Sequence, residues 1–219
     1  LLIKLEKKYK MAFKEKIKEK DLNFYQELPF NVYESPSEGS AKIKQNNVFE
    51  AYPVLKDIFE KNNINNIIDV GCGGGWFTNS LSSMFPEKYI LGIDFNKVAI
   101  NYALEVAKIK KLKSNFLVKD IFEYTSDIKF DFVSSIGVLH HTHDCIGAVK
   151  KITEFCSESS FLFIGLYHKY GRKPFLDFVK DMKNLSDDEK FKKYKKLHKL
   201  TSETHLKSWF RDQVLIPHE

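Results

Sequence analysis

A carboxylate and four glycines fall within seven residues near the end of the first third of the chain. The segment is Asp69-Val70-Gly71-Cys72-Gly73-Gly74-Gly75, and it ends a short apolar run that begins at Asn66. Glycine lets the backbone approach a ligand without a Cβ in the way, and the N–H groups that open the next helix attract a negative group. The segment therefore predicts a site for the polar end of a bound small molecule.

The glycine spacing argues against a nicotinamide dinucleotide as that ligand. The dinucleotide fingerprint is G-x-G-x-x-G, whose third glycine lets the helix pack tightly. Counted from Gly71 the third position is Trp76, and counted from Gly73 it is Thr78. Neither register completes the fingerprint, whereas the pattern D-x-G-x-G-x-G fits the segment from Asp69 to Gly75.

Two further carboxylates follow the next two apolar runs. Asp94 ends Leu91-Gly92-Ile93-Asp94, and Asp120 ends Val118-Lys119-Asp120. Taken singly, either acid is explained as a helix cap or a turn residue. Three acids at three successive strand ends are a more specific pattern, because ligands bind beyond the carboxyl ends of parallel strands.

The elements that would position these residues alternate along the chain. Apolar runs alternate with helical patterns, which is typical of βαβ units and of a parallel sheet with helices on both faces. The predicted fold class is α/β, doubly wound and mostly parallel, with its core in residues 61–170. The predicted strands are 66–70, 89–93, 115–118, 130–135 and 161–166, and the predicted helices between them are 76–85, 97–111 and 144–156.

Residues 1–60 are predicted to form an N-terminal helical and lid segment. Residues 1–20 carry an apolar helical stripe, residues 21–47 are predicted to be irregular, and residues 48–60 form a helix with a break at Pro53. The sequence starts at Leu1 rather than at Met, so we expect either end to be a place where a longer chain was cut.

Residues 171–219 are predicted to form a helical C-terminal segment. Helices are expected at 173–183 and 187–200, and the stretch 208–216 is short and ambiguous.

On these residues the chain resembles the class I S-adenosylmethionine-dependent methyltransferases over residues 64–166. The resemblance implies a Rossmann-like fold and S-adenosyl-L-methionine as cofactor, with S-adenosyl-L-homocysteine as product. It implies that Asp69 orients the cofactor's amino group, that Asp94 accepts both ribose hydroxyls, and that Asp120 lies near the adenine. The implied cofactor-binding residues are Asp69, Gly71, Cys72, Gly73, Gly75, Trp76, Asp94, Phe95, Asn96, Asp120, Ile121, Ser135 and Gly137.

The segment Gly137-Val138-Leu139-His140-His141 resembles the ubiquinone/menaquinone methylase group, where it lines the pocket in which methyl donor and acceptor meet. Methyl transfer is an in-line displacement that positioning alone can accelerate, so a base is optional. A hydroxyl or carbon acceptor still loses a proton, and histidine suits that task near neutral pH. His140 and His141 are the catalytic candidates. The alternative is that one of them packs under the loop and supports its shape.

The substrate-binding candidates come from three places: before the first predicted strand, after the fourth and after the fifth. Tyr33, His140, Tyr167, His168 and Arg172 are the substrate-binding candidates, with Arg172 suited to an acidic acceptor and Tyr33 to a lid. The alternative for the residues after strand five is a simple turn. Three motifs resemble those of a subgroup of bacterial methyltransferases, without indicating a substrate: Pro29-Phe30-Asn31, residues 167–172 and Phe210-Arg211-Asp212-Gln213.

The C-terminal pattern departs from the family. The fold usually ends in an antiparallel hairpin beside strand five, and residues 167–219 contain no such pair of strands. We therefore expect the hairpin to be truncated or replaced by helices. Strand 161–166 would then be an exposed edge.

Charge and composition narrow the partners. The net charge is +6, and the excess of lysine lies mainly in residues 1–20 and 183–200. Arg172 and Arg211 are the two arginines, which disfavours a surface that reads nucleic acid. No apolar run is long enough to span a membrane, and no signal peptide pattern is present.

Three cysteines, without a C-x-x-C pair, predict neither a disulfide framework nor a metal site, and indicate the cytoplasm. We expect a monomer or a homodimer.

Three hypotheses for function follow. The first is a methyltransferase for a small-molecule acceptor, meaning a small or medium metabolite whose methylated atom is O, N or C. The second is an RNA- or protein-directed methyltransferase, supported by the lysine-rich ends. The third is a non-catalytic S-adenosylmethionine-binding protein, suggested by the absent hairpin.

Overall fold

The computed structural model describes residues 23–44, 47–168, 170–198 and 202–215. The strands are β1 (Asn66–Val70), β2 (Tyr89–Asp94), β3 (Asn115–Val118), β4 (Phe130–Ile136) and β5 (Cys156–Gly165). The helices are α1 (Pro36–Ala41), α2 (Asn47–Ala51), α3 (Val54–Lys61), α4 (Trp76–Met84), α5 (Lys97–Lys110), α6 (Cys145–Thr153), α7 (Lys173–Asp181), α8 (Asp187–Leu197) and α9 (Glu203–Phe210). A 3₁₀ turn (Leu139–His141) precedes α6, and a π-helical turn (Arg211–Leu215) follows α9.

The five strands form one parallel sheet in the order β3-β2-β1-β4-β5. The order reverses direction at β1, which pairs with β2 on one side and β4 on the other, with Asp69 opposite both Gly92 and Ser134. Ligands of open parallel sheets bind at such a switch point, beyond the carboxyl ends of the strands. The predicted Rossmann-like α/β fold is confirmed.

Both faces of the sheet are covered, which explains why its central strands are almost uniformly apolar. On one face Ile68 and Val133 pack with Ile152 of α6. On the other face Ile67 packs with Leu55 of α3, in a cluster that also contains residues of α2 and α4. Burying side chains of this size stabilises the fold by about 1.5–3 kcal/mol each.

The N-terminal part is more regular than predicted. Residues 23–27 are helical, and α1 lies within the range 21–47 that the sequence predicts to be irregular. Ser35 caps α1 by accepting a hydrogen bond from the N–H of Glu38 (3.2 Å), and Pro36 opens the helix. Such cap and first-turn residues specify a helix start, but six residues are too few to show a helical period. The predicted helix in residues 1–20 lies outside the described residues.

The helix predicted at 48–60 is divided at Pro53, as expected, into α2 and α3. The helix predicted to end at residue 156 ends at Thr153, and β5 begins at Cys156, five positions before its predicted start. Residues 156–160 read Cys-Ser-Glu-Ser-Ser and have no apolar pattern, and within them Cys156 pairs with Phe130 of β4 before a register irregularity.

The described part of the C-terminal segment is helical, whereas the family usually has an antiparallel hairpin there. No strand follows β5 within the described residues, and in that part of the chain β5 pairs only with β4. Helices α8 and α9 pack through Tyr194, Leu206 and Phe210, all buried. The described part of the ambiguous stretch 208–216, residues 208–215, forms the end of α9 and the π-helical turn.

Among the described residues, no helix combines the length and the apolar character needed to cross a membrane.

The buried central strand gives a stability test. Replacing the fully buried Ile68 with alanine should lower the free energy of unfolding by about 2–5 kcal/mol, because it removes apolar contact and leaves a cavity. The matched control is Ile146→Ala in α6, where the side chain is 67% exposed; it should change stability by about 0.5 kcal/mol or less. Urea denaturation measures both. Equal losses for the two variants would contradict the assignment of β1 to the core.

Candidate functional site

A cleft opens at the carboxyl ends of β1, β2 and β3. The cleft, together with the open solvent at its mouth, has a volume of about 780 Å³. Fourteen described residues from five parts of the chain line it, namely Tyr25, Val70, Gly71, Ile93, Asp94, Phe95, Lys119, Asp120, Ile121, Phe122, Val138, His141, Thr142 and His143. The cleft lies where the strand order predicts a ligand site.

The loop from Gly71 to Gly75, called the glycine loop below, borders the cleft at Gly71. Gly71 has φ +75°, and a Cβ there would lie 2.4 Å from the side chain of Val138. Gly75 also has φ +75°, and its Cβ would lie 2.6 Å from the Cβ of Ala103. These two positions require glycine because both the backbone conformation and the space exclude a side chain.

Asp94 ties the glycine loop to the end of β2. One carboxylate oxygen accepts the N–H of Gly73 (2.9 Å) and the other accepts the N–H of Asn96 (2.8 Å). Burial raises the pKa of Asp94, and the two backbone hydrogen bonds oppose that rise. The carboxylate also lines the cleft, so its remaining lone pairs can accept hydrogen bonds from a ligand's hydroxyl groups.

Asp69 lies behind the glycine loop rather than in the cleft lining. Its side chain is buried and accepts hydrogen bonds from the hydroxyls of Thr78 (2.7 Å) and Ser134 (3.1 Å). Burial raises the pKa of Asp69 to about 6, although the two hydroxyls lower it, and the nearby charge of Asp94 raises it slightly further. Asp69 is therefore a buried acid that joins β1, α4 and β4 directly beneath the loop.

The far end of the cleft is apolar and aromatic. Asp120 accepts the N–H of Phe122 (2.8 Å), which shapes the turn after β3. The rings of Phe122 and His143 lie 4.7 Å apart, and Ile121 lines the cleft beside them. A flat ring system fits such surroundings.

Eight of the residues predicted to bind the cofactor lie outside the cleft lining, namely Asp69, Cys72, Gly73, Gly75, Trp76, Asn96, Ser135 and Gly137. These assignments stay predictions. Cys72 packs with Ile100 and Phe116, Trp76 packs in the cluster around α4, Asn96 caps α5, Ser135 donates to the carbonyl of Val70 (2.9 Å), and Gly137 has φ +74° and open space around its Cα.

His141 is the one of the two predicted catalytic histidines that lines the cleft. Its Nε2 lies 3.6 Å from a carboxylate oxygen of Asp212. The ring of His140 lies 4.2 Å from that of His141 and 4.1 Å from that of Tyr167. His140 therefore packs between these rings, which matches the supporting role left open for one of the pair.

None of the five predicted substrate-binding residues, Tyr33, His140, Tyr167, His168 and Arg172, is among the residues that line the cleft, so these assignments stay predictions. Tyr167 donates its hydroxyl to Asp212 (3.0 Å), and the Arg172 guanidinium lies 3.7 Å from the Tyr167 ring centre. Exposed His168 accepts the N–H of Gly171 (2.9 Å), as expected of a turn residue. Tyr33 lies outside the cleft lining, with its ring stacked at 4.2 Å on His205.

Tyr25 and Asp212 are among the residues of the site that were not selected from the sequence. Tyr25 lines the cleft and donates its hydroxyl to Asp212 (2.8 Å), and Asp212 is 4% exposed. The motif Phe210-Arg211-Asp212-Gln213 was the available signal for Asp212. Nothing local in the sequence indicates that positions 25 and 212 meet.

Within the described residues, no group of three or more histidine, cysteine or acidic side chains is arranged to hold a metal ion.

The raised pKa of Asp69 predicts how stability changes with pH. The native pKa, about 6, is above the ordinary 3.8, so the folded state retains a proton that the unfolded state loses between these values. The stabilisation is fully present below about pH 4 and is lost as the pH rises through about 6. Relative to Asp69→Asn, the wild type should lose about 3 kcal/mol of unfolding free energy between pH 4 and pH 7.

Urea denaturation at a series of pH values measures this difference. Asp57→Asn, at an exposed position of α3, is the matched control and should show no such trend. A wild-type advantage that grows with pH would mean that the fold favours ionised Asp69 and would overturn the assignment.

Comparison with solved structures finds the same fold. The plantazolicin methyltransferase BpumL, crystallised with SAH and a monoazolic desmethylPZN analog, superposes with a TM-score of 0.52 at 18% sequence identity; the match covers 94% of this chain and 65% of that one. At this identity the likeness concerns the fold alone.

Two of the relatives that match this chain in sequence are named as O-methyltransferases. The ubiquinone biosynthesis O-methyltransferase of Rickettsia typhi is 24% identical over 200 residues, covering 87% of this chain and 80% of the relative. The malonyl-[acyl-carrier protein] O-methyltransferase of Bacillus anthracis is 22% identical over 165 residues, covering 73% and 60%. In three curated relatives, one of them the Bacillus anthracis enzyme, the match to this chain covers 28%, 60% and 42% of the relative's own length.

The family comparison covers most of the chain. The family described as "Methyltransferase domain" matches residues 61–213, which include the sheet, the glycine loop, the 3₁₀ turn with His140 and His141, and Asp212. The chain belongs to this methyltransferase domain family.

Proposed function

We propose that this chain binds S-adenosylmethionine and transfers its methyl group to a small or medium-sized acceptor molecule. The observation that carries the proposal is the position of Asp94, whose carboxylate lines the cleft while it accepts the N–H of Gly73. A carboxylate held at the end of β2, next to a glycine loop, suits a ribose with two adjacent hydroxyls.

The residues present fit the cofactor along its length. The glycine loop leaves room that a Cβ at Gly71 would fill, and its backbone suits a carboxylate. Asp69 lies beneath the loop, where it can orient an amino group directly or through water. Asp120, Ile121 and the Phe122–His143 pair suit the adenine.

When bound, S-adenosylmethionine supplies a methyl group that is already activated by its sulfonium. The task left to the chain is to orient donor and acceptor in line and to exclude water, and this positioning accounts for much of the acceleration in such reactions. Val138 and His141, which follow β4, line the cleft and are placed to meet an acceptor.

A small acceptor is favoured over RNA by the relatives, one of which is named as an O-methyltransferase of ubiquinone biosynthesis and another as a malonyl-[acyl-carrier protein] O-methyltransferase. Of the two lysine-rich stretches that support an RNA-directed enzyme, residues 183–198 are described and add no residue to the cleft lining, while residues 1–20 lie outside the described part of the chain. The methylated atom and the oligomeric state stay predictions.

Calorimetry with S-adenosylmethionine, S-adenosylhomocysteine and NAD tests the cofactor. We expect the first two to bind and NAD not to bind. Asp94→Ala should weaken binding of S-adenosylmethionine by about 10- to 100-fold or more, because hydrogen bonds to charged groups contribute about 1.5–3 kcal/mol each. The matched control is Asp57→Ala, at an exposed position, which should bind as the wild type does.

Thermal denaturation of each variant checks that the fold is intact. Unchanged affinity in folded Asp94→Ala would contradict the ribose assignment, and absence of S-adenosylmethionine binding would contradict the proposal itself. An RNA-directed enzyme would instead bind RNA with an affinity that falls steeply with salt. Binding without transfer to any class of acceptor would indicate a non-catalytic protein.

A further inference from the structure

Residues 30–34, called the strap below, pack directly against the glycine loop. A Cβ built on Gly74 would lie 3.1 Å from the side chain of Val32, and a Cβ on Gly73 would lie 3.7 Å from the carbonyl oxygen of Phe30. The strap is therefore in contact with two of the loop's glycines, and the missing side chain of Gly74 gives Val32 the space to lie there.

Two side chains of α9 hold the strap in this position. The ring N–H of Trp209 donates to the side-chain oxygen of Asn31 (3.3 Å), and Nδ1 of His205 lies 3.3 Å from the carbonyl oxygen of Val32. A carbonyl oxygen can only accept, so Nδ1 is the nitrogen that carries the hydrogen in the neutral ring. The same ring stacks on Tyr33, with the ring centres 4.2 Å apart and the planes 6° apart. The strap is therefore held between α9 and the glycine loop.

The backbone of the strap bends at Asn31, which has φ +59°. This left-handed conformation is uncommon for a residue with a side chain, although asparagine adopts it more readily than most, and it persists where the surroundings hold it. The hydrogen bond from Trp209 to the Asn31 side chain supplies such a hold. The course of the strap across the loop thus depends on α9 as well as on the strap's own sequence.

His205 is buried, with 5% of its surface exposed. Burial lowers its pKa, the hydrogen bond to the Val32 carbonyl and the charge of Glu38 raise it, and the charge of Lys42 lowers it. Within the described residues, the titratable side chains that act on the ring are these two and Tyr33, which stacks on it. The resulting pKa is below the ordinary 6.5, so the neutral ring is favoured in this position. The hold of α9 on the strap is complete above that pH and weakens as the pH falls below it.

We propose that His205 is a positioning residue for the amino-acid end of S-adenosylmethionine. It holds the strap on the glycine loop, and the strap keeps the loop in the shape that receives the ligand's carboxylate and amino group. The proposal rests on the proposed function and extends the same site to α9. When the loop spends less time in the competent shape, the apparent affinity falls in proportion. The strap residues, all of them described, are not among those that line the cleft beside Ile121 and Phe122, so binding of the nucleoside end should not depend on the strap.

A purely structural role for His205 makes a different prediction. The N-terminal part is also held by Thr204, whose hydroxyl donates to the carboxylate of Glu34, and by Arg211, which pairs with Glu27 (2.8 Å). If His205 only added to these ties, its loss would lower the free energy of unfolding and would weaken the binding of both ends of the cofactor alike.

The test compares S-adenosylhomocysteine with methylthioadenosine, which has the same nucleoside and a thioether but lacks the amino-acid end. Calorimetry measures the Kd of the first, and displacement of the first by the second extends the measurement to weak binding. His205→Phe keeps a ring against Tyr33 and removes the N–H that faces Val32. It should weaken S-adenosylhomocysteine by about three- to tenfold and methylthioadenosine by about twofold or less. The matched control is His198→Phe on α8, where the ring stacks on Tyr194 (4.2 Å); it should leave both Kd values unchanged.

The pH dependence of the same two Kd values gives a readout that a structural role would not move. The preference for the amino-acid end is the Kd of methylthioadenosine divided by that of S-adenosylhomocysteine. Between about pH 7.5 and about pH 5.5 the wild type should lose about three- to tenfold more of this preference than His205→Phe does, because only the wild type has a ring there that becomes charged. Asp69, with a pKa of about 6, titrates in both proteins, so comparing them removes its effect. His198→Phe should keep the wild-type pH dependence.

Trp209→Phe keeps the proposal testable if His205→Phe does not fold. It retains a ring near Phe30, removes the N–H that Asn31 accepts, and should weaken S-adenosylhomocysteine more than methylthioadenosine. Equal losses for the two ligands, wild-type affinity for S-adenosylhomocysteine in the folded variants, or the same pH dependence in wild type and His205→Phe would overturn the proposal. A wild type that binds neither ligand would instead be a failure of the proposed function, which the same titrations identify.

Discussion

The attachment of the glycine loop to the end of β2 is the constraint on which the cleft depends. The carbonyl of Ile93 accepts the N–H groups of both Gly71 and Cys72, and Asp94 accepts the N–H of Gly73. These hydrogen bonds join β1 and β2 at the switch point of the sheet, where the strand order leaves a crevice. The loop can keep left-handed backbone angles at Gly71 and Gly75 because this attachment and the neighbouring side chains hold it there.

A second set of contacts closes the structure over that crevice. Phe30 and Val32 of the N-terminal part approach Gly73 and Gly74, and the backbone carbonyl of Val32 lies 3.3 Å from the His205 ring in α9. The N-terminal and C-terminal segments therefore act together, although some 170 residues separate them in the chain. Asp212 extends this arrangement to the cleft itself, since it contacts Tyr25 and His141 at once. The described part of the chain after β5 is helical, and it brings the Asp212 carboxylate towards the cleft.

Local patterns in the sequence predict the sheet well. β1 and β3 have the predicted bounds because short apolar runs between polar turns are a direct signal of buried strands. The start of β5 escapes prediction because residues 157–160 are polar and the strand reaches β4 there through a register irregularity between the Cys156–Phe130 and Phe161–Phe132 pairs. The short helix α1 escapes it because its signal lies in its cap rather than in a period.

The donor side of the site follows from the sequence more completely than the acceptor side. Asp94, Asp120 and the glycine loop each end a strand, so the sheet brings them together once its order is known. Tyr25, Tyr167 and Asp212 meet through long-range packing that no spacing encodes. Tyr33 shows the same limit, since it belongs to the segment over the loop yet stacks on His205 rather than lining the cleft.

A crystal structure of the chain with S-adenosylhomocysteine tests the central claim most directly. The account predicts both ribose hydroxyls within hydrogen-bond distance of the Asp94 carboxylate, the amino-acid end against the glycine loop, and the adenine beside Ile121, Phe122 and His143. A nucleoside bound elsewhere, or a ribose without contact to Asp94, would contradict it.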